Sequence, residues 1–235
     1  MIINLAGESI AGLRWTKEKK RRIEESRINA GSAMVEAVDK WKTKPDYFVQ
    51  ASAIGFYGDR DTALNEQSVQ GEGFLAEVGQ RWEMSTAEIE NMGVKRAIVR
   101  IGVVLGKEGG ILKRLLLPFQ LGLGGPVGSG EQDISWIHIE DVAAAVQFLA
   151  EKKATGVFNL TGPEPVKMKE FTGTLAKVLH RPHLIPVPGP LLKLVMGEMA
   201  EELVLTGAPV FPERLLDLGY KFKYNNVTSA LTDLV

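Results

Sequence analysis

The chain opens with Ile2 and Ile3 running into "NLAGES", a β-branched stretch that breaks into a small-residue turn at Gly7 with Glu8 just beyond. That pattern predicts the end of a buried parallel strand reaching the carboxyl edge of a sheet. Beyond it Thr16 can cap a helix whose apolar positions (Ile23, Ile28, Met34, Ala37, Val38, Trp41) recur at roughly helical spacing and end near Lys42. "YFVQASA" (47–53) reads as a second buried strand, followed by the glycine-bearing loop "IGFYGD". One long helix is predicted over 74–92, stopped by Gly93, and "KRAIVRIGVVLG" (95–106) supplies a third strand. Strand, helix, strand, helix, strand is the order of right-handed crossovers in a parallel sheet.

Past Gly106 the pattern loosens. "GGILKRLLLPFQLGLGG" is a helix entering a glycine-rich stretch, "IEDVAAAVQFLAEK" a helix with acidic residues in its first turn, and "GVFNLTG" a short strand. From Pro163 prolines become denser and short helices alternate with turns, as in "KEFTGTLAKVL", "PLLKLVMGEMAEELVLTG" and "PERLLDLG". The expected division is a sheet-bearing part over 1–162, with a substrate-side insertion at about 107–133, and a smaller lobe over 163–235 packed on the sheet. The fold class is α/β.

Composition narrows the function classes. With 28 basic and 29 acidic residues the net charge is −1, which gives no electrostatic case for nucleic acid or a membrane surface. The basic run "KEKKRR" is followed by Glu24 and Glu25 at helical spacing and reads as a solvated helix face. The absence of cysteine excludes disulfides, thiolate metal sites and cysteine catalysis, and the three histidines give no zinc pattern. Without a signal sequence or a long apolar run, the default is a soluble cytoplasmic protein.

No G-x-G-x-x-G follows a strand. The cluster "GLGGPVGSG" (122–130) has a helix before it and no strand-to-helix transition after it, so it reads as a loop rich in turn residues, with Gln132, Trp136 and His138 making a substrate-side role conceivable. At the end of the second strand, Ser52 and Ala53 either admit a flat ring to the backbone or pack under a helix. Tyr57 is either a site residue or a half-buried aromatic. Arg14 and Trp15 could clamp a phosphate and cover a ring, since the arginine fork makes paired hydrogen bonds. Glu8 at the strand edge could take a ribose hydroxyl. His138 is a structural group or a proton carrier. Arg100, inside a buried strand, needs a partner, which makes it structural or anion-binding.

Together, "INLAGES", "QASAIGFYG", "RWE", "RIGVVLG", "PFQLGLGGPVGSG", "SWIHIEDV", "NLTGPEPV" and "GEMAEELVLTG" resemble, over essentially the whole chain, the SulA-like NAD(P)-dependent nucleoside-diphosphate-sugar epimerases, an atypical branch of the extended short-chain dehydrogenases. The resemblance implies a Rossmann-like sheet whose N-terminal "GGTGFIG"-type βα units would precede Ile2 and are missing here. The sheet edges so exposed invite pairing with another chain, a homodimer among the options. It implies NADP or NAD as cofactor, NADP favoured, and a small-molecule substrate of unknown identity. Leu5, Ala6 and Gly7 would line the adenosine side, with Glu8 and Arg14 at the ribose or nicotinamide end. Ser52 and Ala53 would flank the nicotinamide, Gly102 and Val103 would touch its carboxamide, and Tyr57, Gln132, Trp136 and His138 would frame the substrate.

One departure stands out. Short-chain dehydrogenases use Tyr-x-x-x-Lys on the helix after the second strand seen here, and the chain has no such pair. Aligned on Glu83, the pair falls on Leu75 and Gly79, and the usual serine falls on Ala53 with Ser52 one place off. Ser52, Tyr57 or His138 would then carry any proton transfer. Two functions follow: hydride transfer on a nucleotide sugar or other carbonyl or carbinol substrate, or a non-catalytic protein that senses NADP(H).

Overall fold

The computed structural model describes residues 1–12 and 14–235. In chain order these form β1 (Ile2–Asn4), α1 (Lys17–Lys40), β2 (Tyr47–Ala53), a 3₁₀ turn (Ile54–Tyr57), α2 (Phe74–Met84), α3 (Glu88–Asn91), β3 (Lys95–Ile101), β4 (Val103–Leu105) and α4 (Gly110–Gln120). There follow β5 (Asp133–Ile134), β6 (Trp136–His138), α5 (Ile139–Lys152), β7 (Gly156–Leu160), β8 (Val166–Lys167) and α6 (Met168–Val178). The chain closes through α7 (Gly189–Met196), α8 (Glu198–Ala200), a π turn (Glu201–Leu205), α9 (Glu213–Asp217) and α10 (Val227–Leu234).

Four strands make an all-parallel sheet in the order β1-β2-β3-β7. β2 is buried on both faces up to Ser52, as a central parallel strand covered by helices should be. Its side chains alternate: Tyr47 and Val49 join α5 residues Ala145 and Leu149 on one face, while Phe48 meets Val38 of α1 and Ile89 of α3 on the other. The buried amides Asn4 of β1 and Gln50 of β2 have partners. Asn4 donates its side-chain amide to Gln50 Oε1 at 3.0 Å, and Gln50 donates to the Ala51 carbonyl at 2.7 Å.

Thr16 caps α1, its hydroxyl accepting from Lys19 N at 3.1 Å. α1 and α2 run side by side in the same direction, as the pairs Lys20–Phe74, Arg27–Trp82 and Gly31–Ser85 show. Gly31 permits this approach, because a Cβ there would lie 2.0 Å from Ser85 Oγ.

Three predicted elements break where the chain has a local alternative. The long helix expected over 74–92 is interrupted at 85–87, where Ser85 Oγ donates back to the Trp82 carbonyl at 2.7 Å. Gly93 does end the second piece, in a left-handed conformation with φ of 79°. The strand expected over 95–106 stops at Ile101 and restarts at Val103 with a different partner: β4 pairs with β6 in a separate two-stranded sheet. The apolar run from Pro190 splits at Gly197 into α7, α8 and the π turn.

Residues on both sides of Pro163 share one core cluster, in which Leu105, Leu112 and Trp136 pack with Phe171, Leu175 and Leu231. No helix among the described residues is long and apolar enough to cross a membrane.

Candidate functional site

A cavity of about 560 Å³ opens at the carboxyl ends of β2 and β3. Ligands of open parallel sheets bind at this edge, and the volume falls within the usual range for small-molecule sites. One wall is formed by Ala53, Ile54 and Gly55 after β2, and Ile101, Gly102 and Val103 at the β3–β4 break. α2 supplies Leu75, Val78, Gly79 and Trp82, and α1 supplies Arg27. The far side comes from Gln132 to Ser135 and from the segment carrying Glu198, Glu201, Glu202 and Thr206 to Ala208.

Gly102 is required where it stands. A Cβ there would sit 2.4 Å from the Ser135 carbonyl and 2.9 Å from Thr161 Cγ2. Its N–H closes onto Leu160 O at 3.0 Å, whereas Val103 N already bonds Ser135 O at 2.9 Å. The chain therefore changes sheets at this one residue, and the gap between the two sheets forms the cavity wall.

Behind the wall lies a buried polar network. Arg100 is doubly bonded to Glu83, Nε to Oε1 at 2.8 Å and Nη2 to Oε2 at 2.9 Å. Ser52 donates to Glu83 Oε1 at 2.7 Å. Arg100 Nη1 donates to Tyr57 Oη at 3.0 Å, and that hydroxyl donates to Asn159 Oδ1 at 2.7 Å. Burial weakens the Arg100 charge, but Glu83 and then Tyr57 more than restore it, so the net shift of its pKa is upward. Burial raises the Tyr57 hydroxyl, and Arg100 and Asn159 only partly oppose it. A phenol with no exposed surface, both hydrogen-bonding roles filled and a raised pKa holds its proton firmly.

The structure separates the sequence-predicted residues. Ala53, Gly102, Val103 and Gln132 line the cavity. Ser52 and Tyr57 do not; they belong to the network behind it. Leu75 and Gly79, the positions aligned with the absent Tyr-x-x-x-Lys pair, are in the wall. Trp136 is buried in the core with Nε1 bonded to the Glu164 carbonyl at 2.9 Å. His138 is 1% exposed and caps α5: its Nδ1 accepts from Glu140 N at 3.1 Å, and its ring stacks on Tyr224 at 3.8 Å. Its Nε2 lies 3.4 Å from Asp233 Oδ2, and burial lowers its pKa. Gln132 spends its side-chain N–H groups on the carbonyls of Val127 (3.1 Å) and Val204 (2.8 Å).

The opening loop is similarly committed. Arg14 donates to the carbonyls of Leu194 and Val195 at the end of α7, where a cation suits the helix dipole. Glu8 pairs with Lys19 at 2.6 Å and Arg22 at 3.4 Å, and the Lys19 bond lowers its pKa. Leu5 and Ala6 are exposed, Ala6 N bonding Asn4 Oδ1 at 3.2 Å. Gly7 reaches the cavity indirectly, lying against Arg27.

Sequence reasoning missed Arg27, Trp82 and the acidic far wall. Arg27 left a signal: Ile23, Arg27 and Gly31 follow one another at i, i+4 on the inward face of α1, so a charged residue interrupts a buried stripe.

The fold agrees with the comparisons to known proteins. Residues 1–161 match the model of the NAD dependent epimerase/dehydratase family. The chain belongs to that family. Residues 187–234 match a domain of unknown function (DUF1731). Epimerase family protein YfhF of Bacillus subtilis is 39% identical, over 99% of this chain and 77% of its own length. The chloroplastic SDR39U1 homolog of Arabidopsis thaliana is 42% identical, over 98% of this chain and 67% of its own length. The crystal structure of human epimerase family protein SDR39U1 (isoform 2) with NADPH superposes with a TM-score of 0.93 at 31% identity, covering 99% of this chain and 80% of that one.

Proposed function

We propose that the chain binds NADP(H) at this cavity and transfers hydride at a carbonyl or carbinol carbon of a small hydroxylated molecule. The observation that carries this reading is the position of the cavity at the carboxyl ends of β2 and β3, walled there by Ala53, Gly102 and Val103, the edge at which open parallel sheets take their ligands. The family membership and the NADPH in the human SDR39U1 structure support it. When bound, the cofactor supplies or accepts the hydride. The chain's own residues orient the ring and shield it from water, with Leu75, Val78 and Trp82 as the apolar side of the cavity.

The wall's proton-exchanging groups are carboxylates. Ser135 Oγ donates to the Ala208 carbonyl at 2.7 Å and so offers no free proton. Asp59 and Glu72 line the cavity without a cation within salt-bridge reach among the described residues. We assign proton exchange with the substrate oxygen to these two carboxylates.

A second reading has its own observation. With Tyr57 and Ser52 locked behind the wall, the protein could hold NADP(H) as a sensor without turning it over. Absorbance of NADPH followed against a panel of aldehydes, ketones and nucleotide sugars separates the two. Consumption that survives Tyr57→Phe and disappears in Ala53→Phe, which places a ring in the cavity, supports hydride transfer. Binding without consumption of any substrate supports the sensor, and absence of dinucleotide binding overturns both.

A further inference from the structure

Among the described residues Arg27 is the one cation in the cavity wall, against the carboxylates of Asp59, Glu72, Asp133, Glu198, Glu201 and Glu202. Most of that acidic set is already answered: Asp133 by Lys167 at 2.7 Å, Glu198 by Lys20 at 2.8 Å, Glu201 by Lys193 at 2.6 Å, and Glu202 by the α2 N–H groups of Phe74 and Leu75. Arg27 has no such answer. Arg96 and Arg100, the buried arginines of β3, each face a carboxylate within 3 Å. Arg27 has none within 4 Å among the described residues, because its neighbour Glu8 is spent on Lys19 and Arg22.

Its guanidinium is nonetheless fixed. Nη1 donates to the carbonyls of Ile23 at 2.8 Å and Glu8 at 3.1 Å, and the group lies over the Trp82 ring at 4.8 Å. Gly7 leaves room for it: a Cβ there would stand 3.0 to 3.3 Å from Arg27 Cζ, Cγ and Nε. Nε and Nη2 bond no described residue. Trp82 lies eight residues beyond Phe74, about 12 Å along α2 from the carboxylate of Glu202, so the cavity is cationic at one end and acidic at the other. A half-buried cation without a counter-ion is costly to keep and is normally paired.

We propose that Arg27 is the anion-binding residue of the cavity, taking a phosphate or carboxylate oxygen of the bound molecule on its two unpartnered nitrogens. The anion is either a phosphate of the dinucleotide or an acidic group of the substrate. The fork of the guanidinium suits either.

The test titrates NADPH, NADH, inorganic pyrophosphate and malonate into the wild-type chain, Arg27→Gln and Arg27→Lys. Loss of a charge-assisted pair predicts roughly 10- to 100-fold weaker binding in Arg27→Gln, with partial recovery in Arg27→Lys. Equal weakening of NADPH and NADH assigns Arg27 to the pyrophosphate, and weakening of NADPH alone to the ribose phosphate. Unchanged dinucleotides with weakened malonate or pyrophosphate binding assign it to the substrate. If Arg27→Gln fails to fold, Gly7→Ala, which pushes the guanidinium aside, is read by the same titrations. All four probes binding the folded variant within twofold of wild type overturns the proposal. No readout requires turnover, so a chain that binds without reacting leaves this assignment standing.

Discussion

Removing the Glu83 side chain puts the buried network to a quantitative trial. The Arg100 side chain is 5% exposed and that of Glu83 10%, so neither charge has water to fall back on. Glu83→Ala strips Arg100 of two charge-assisted bonds and leaves Tyr57 Oη as its one remaining hydrogen-bond partner among the described residues, beside the Phe56 ring at 3.4 Å, while the Ser52 hydroxyl loses its acceptor. Breaking a buried pair in this one-sided way costs about 3–5 kcal/mol, because the surviving charge stays buried and unpaired. In a chain of this size each kcal/mol moves the melting point by about 2–4 °C, so Tm should fall by roughly 6–20 °C. Urea unfolding followed by circular dichroism, with calorimetry in parallel, measures the loss. The double variant Glu83→Leu/Arg100→Met removes both charges and should regain most of it. A loss under about 1 kcal/mol in Glu83→Ala, or a double variant no better than the single one, refutes an uncompensated buried charge as the origin.

Further outcomes follow from the two side chains that cap α5 and tie the start of α2. Burial holds the His138 pKa below its ordinary 6.5. Between that folded value and 6.5 the unfolded chain binds more protons, so stability present above pH 6.5 is lost as pH falls. His138→Asn keeps an acceptor for the α5 cap and removes this titration, so its urea midpoint should decline less steeply than wild type between pH 7 and 5. The Glu202 carboxylate accepts from Phe74 N at 3.0 Å and Leu75 N at 3.2 Å at the start of α2. Glu202→Ala should cost about 0.5–2 kcal/mol and speed limited proteolysis between 198 and 207, since the π turn loses its tie to α2.

Much of the sheet could be read directly because each of its strands is a short apolar run bounded by turn residues, and the strand–helix alternation leaves few topologies open. Gly93 and the acidic first turn of α5 marked helix ends for local reasons that survive folding. The need of Arg100 for a partner was visible in its burial. The partner was not, because Glu83 sits on a helix that only the folded sheet brings alongside. Arg27 was hidden among the charges of a helix that reads as solvated, although its spacing from Ile23 and Gly31 betrays it. α10 was also overlooked: Val227, Ala230, Leu231 and Leu234 keep helical spacing, and Asn226 caps it by accepting from Ser229 N at 2.9 Å. Where proton chemistry was expected of Tyr57 and His138, the Tyr57 hydroxyl is taken up by Arg100 and Asn159, and His138 is buried away from the cavity with Nδ1 spent on the α5 cap.

Gly102, finally, makes the cleft a property of the main chain. Most of the lining can be exchanged for other side chains and the recess will persist, since it arises from two ribbons parting company and not from any group that carves it. At this position, as at Gly207 across the cavity, the tolerance vanishes: even one added methyl on Gly102 must push the Ser135 carbonyl away from the 2.4 Å approach, and the parting ribbons move with it. Related chains can therefore diversify what they accept by redecorating the rim, so long as that hinge point stays bare.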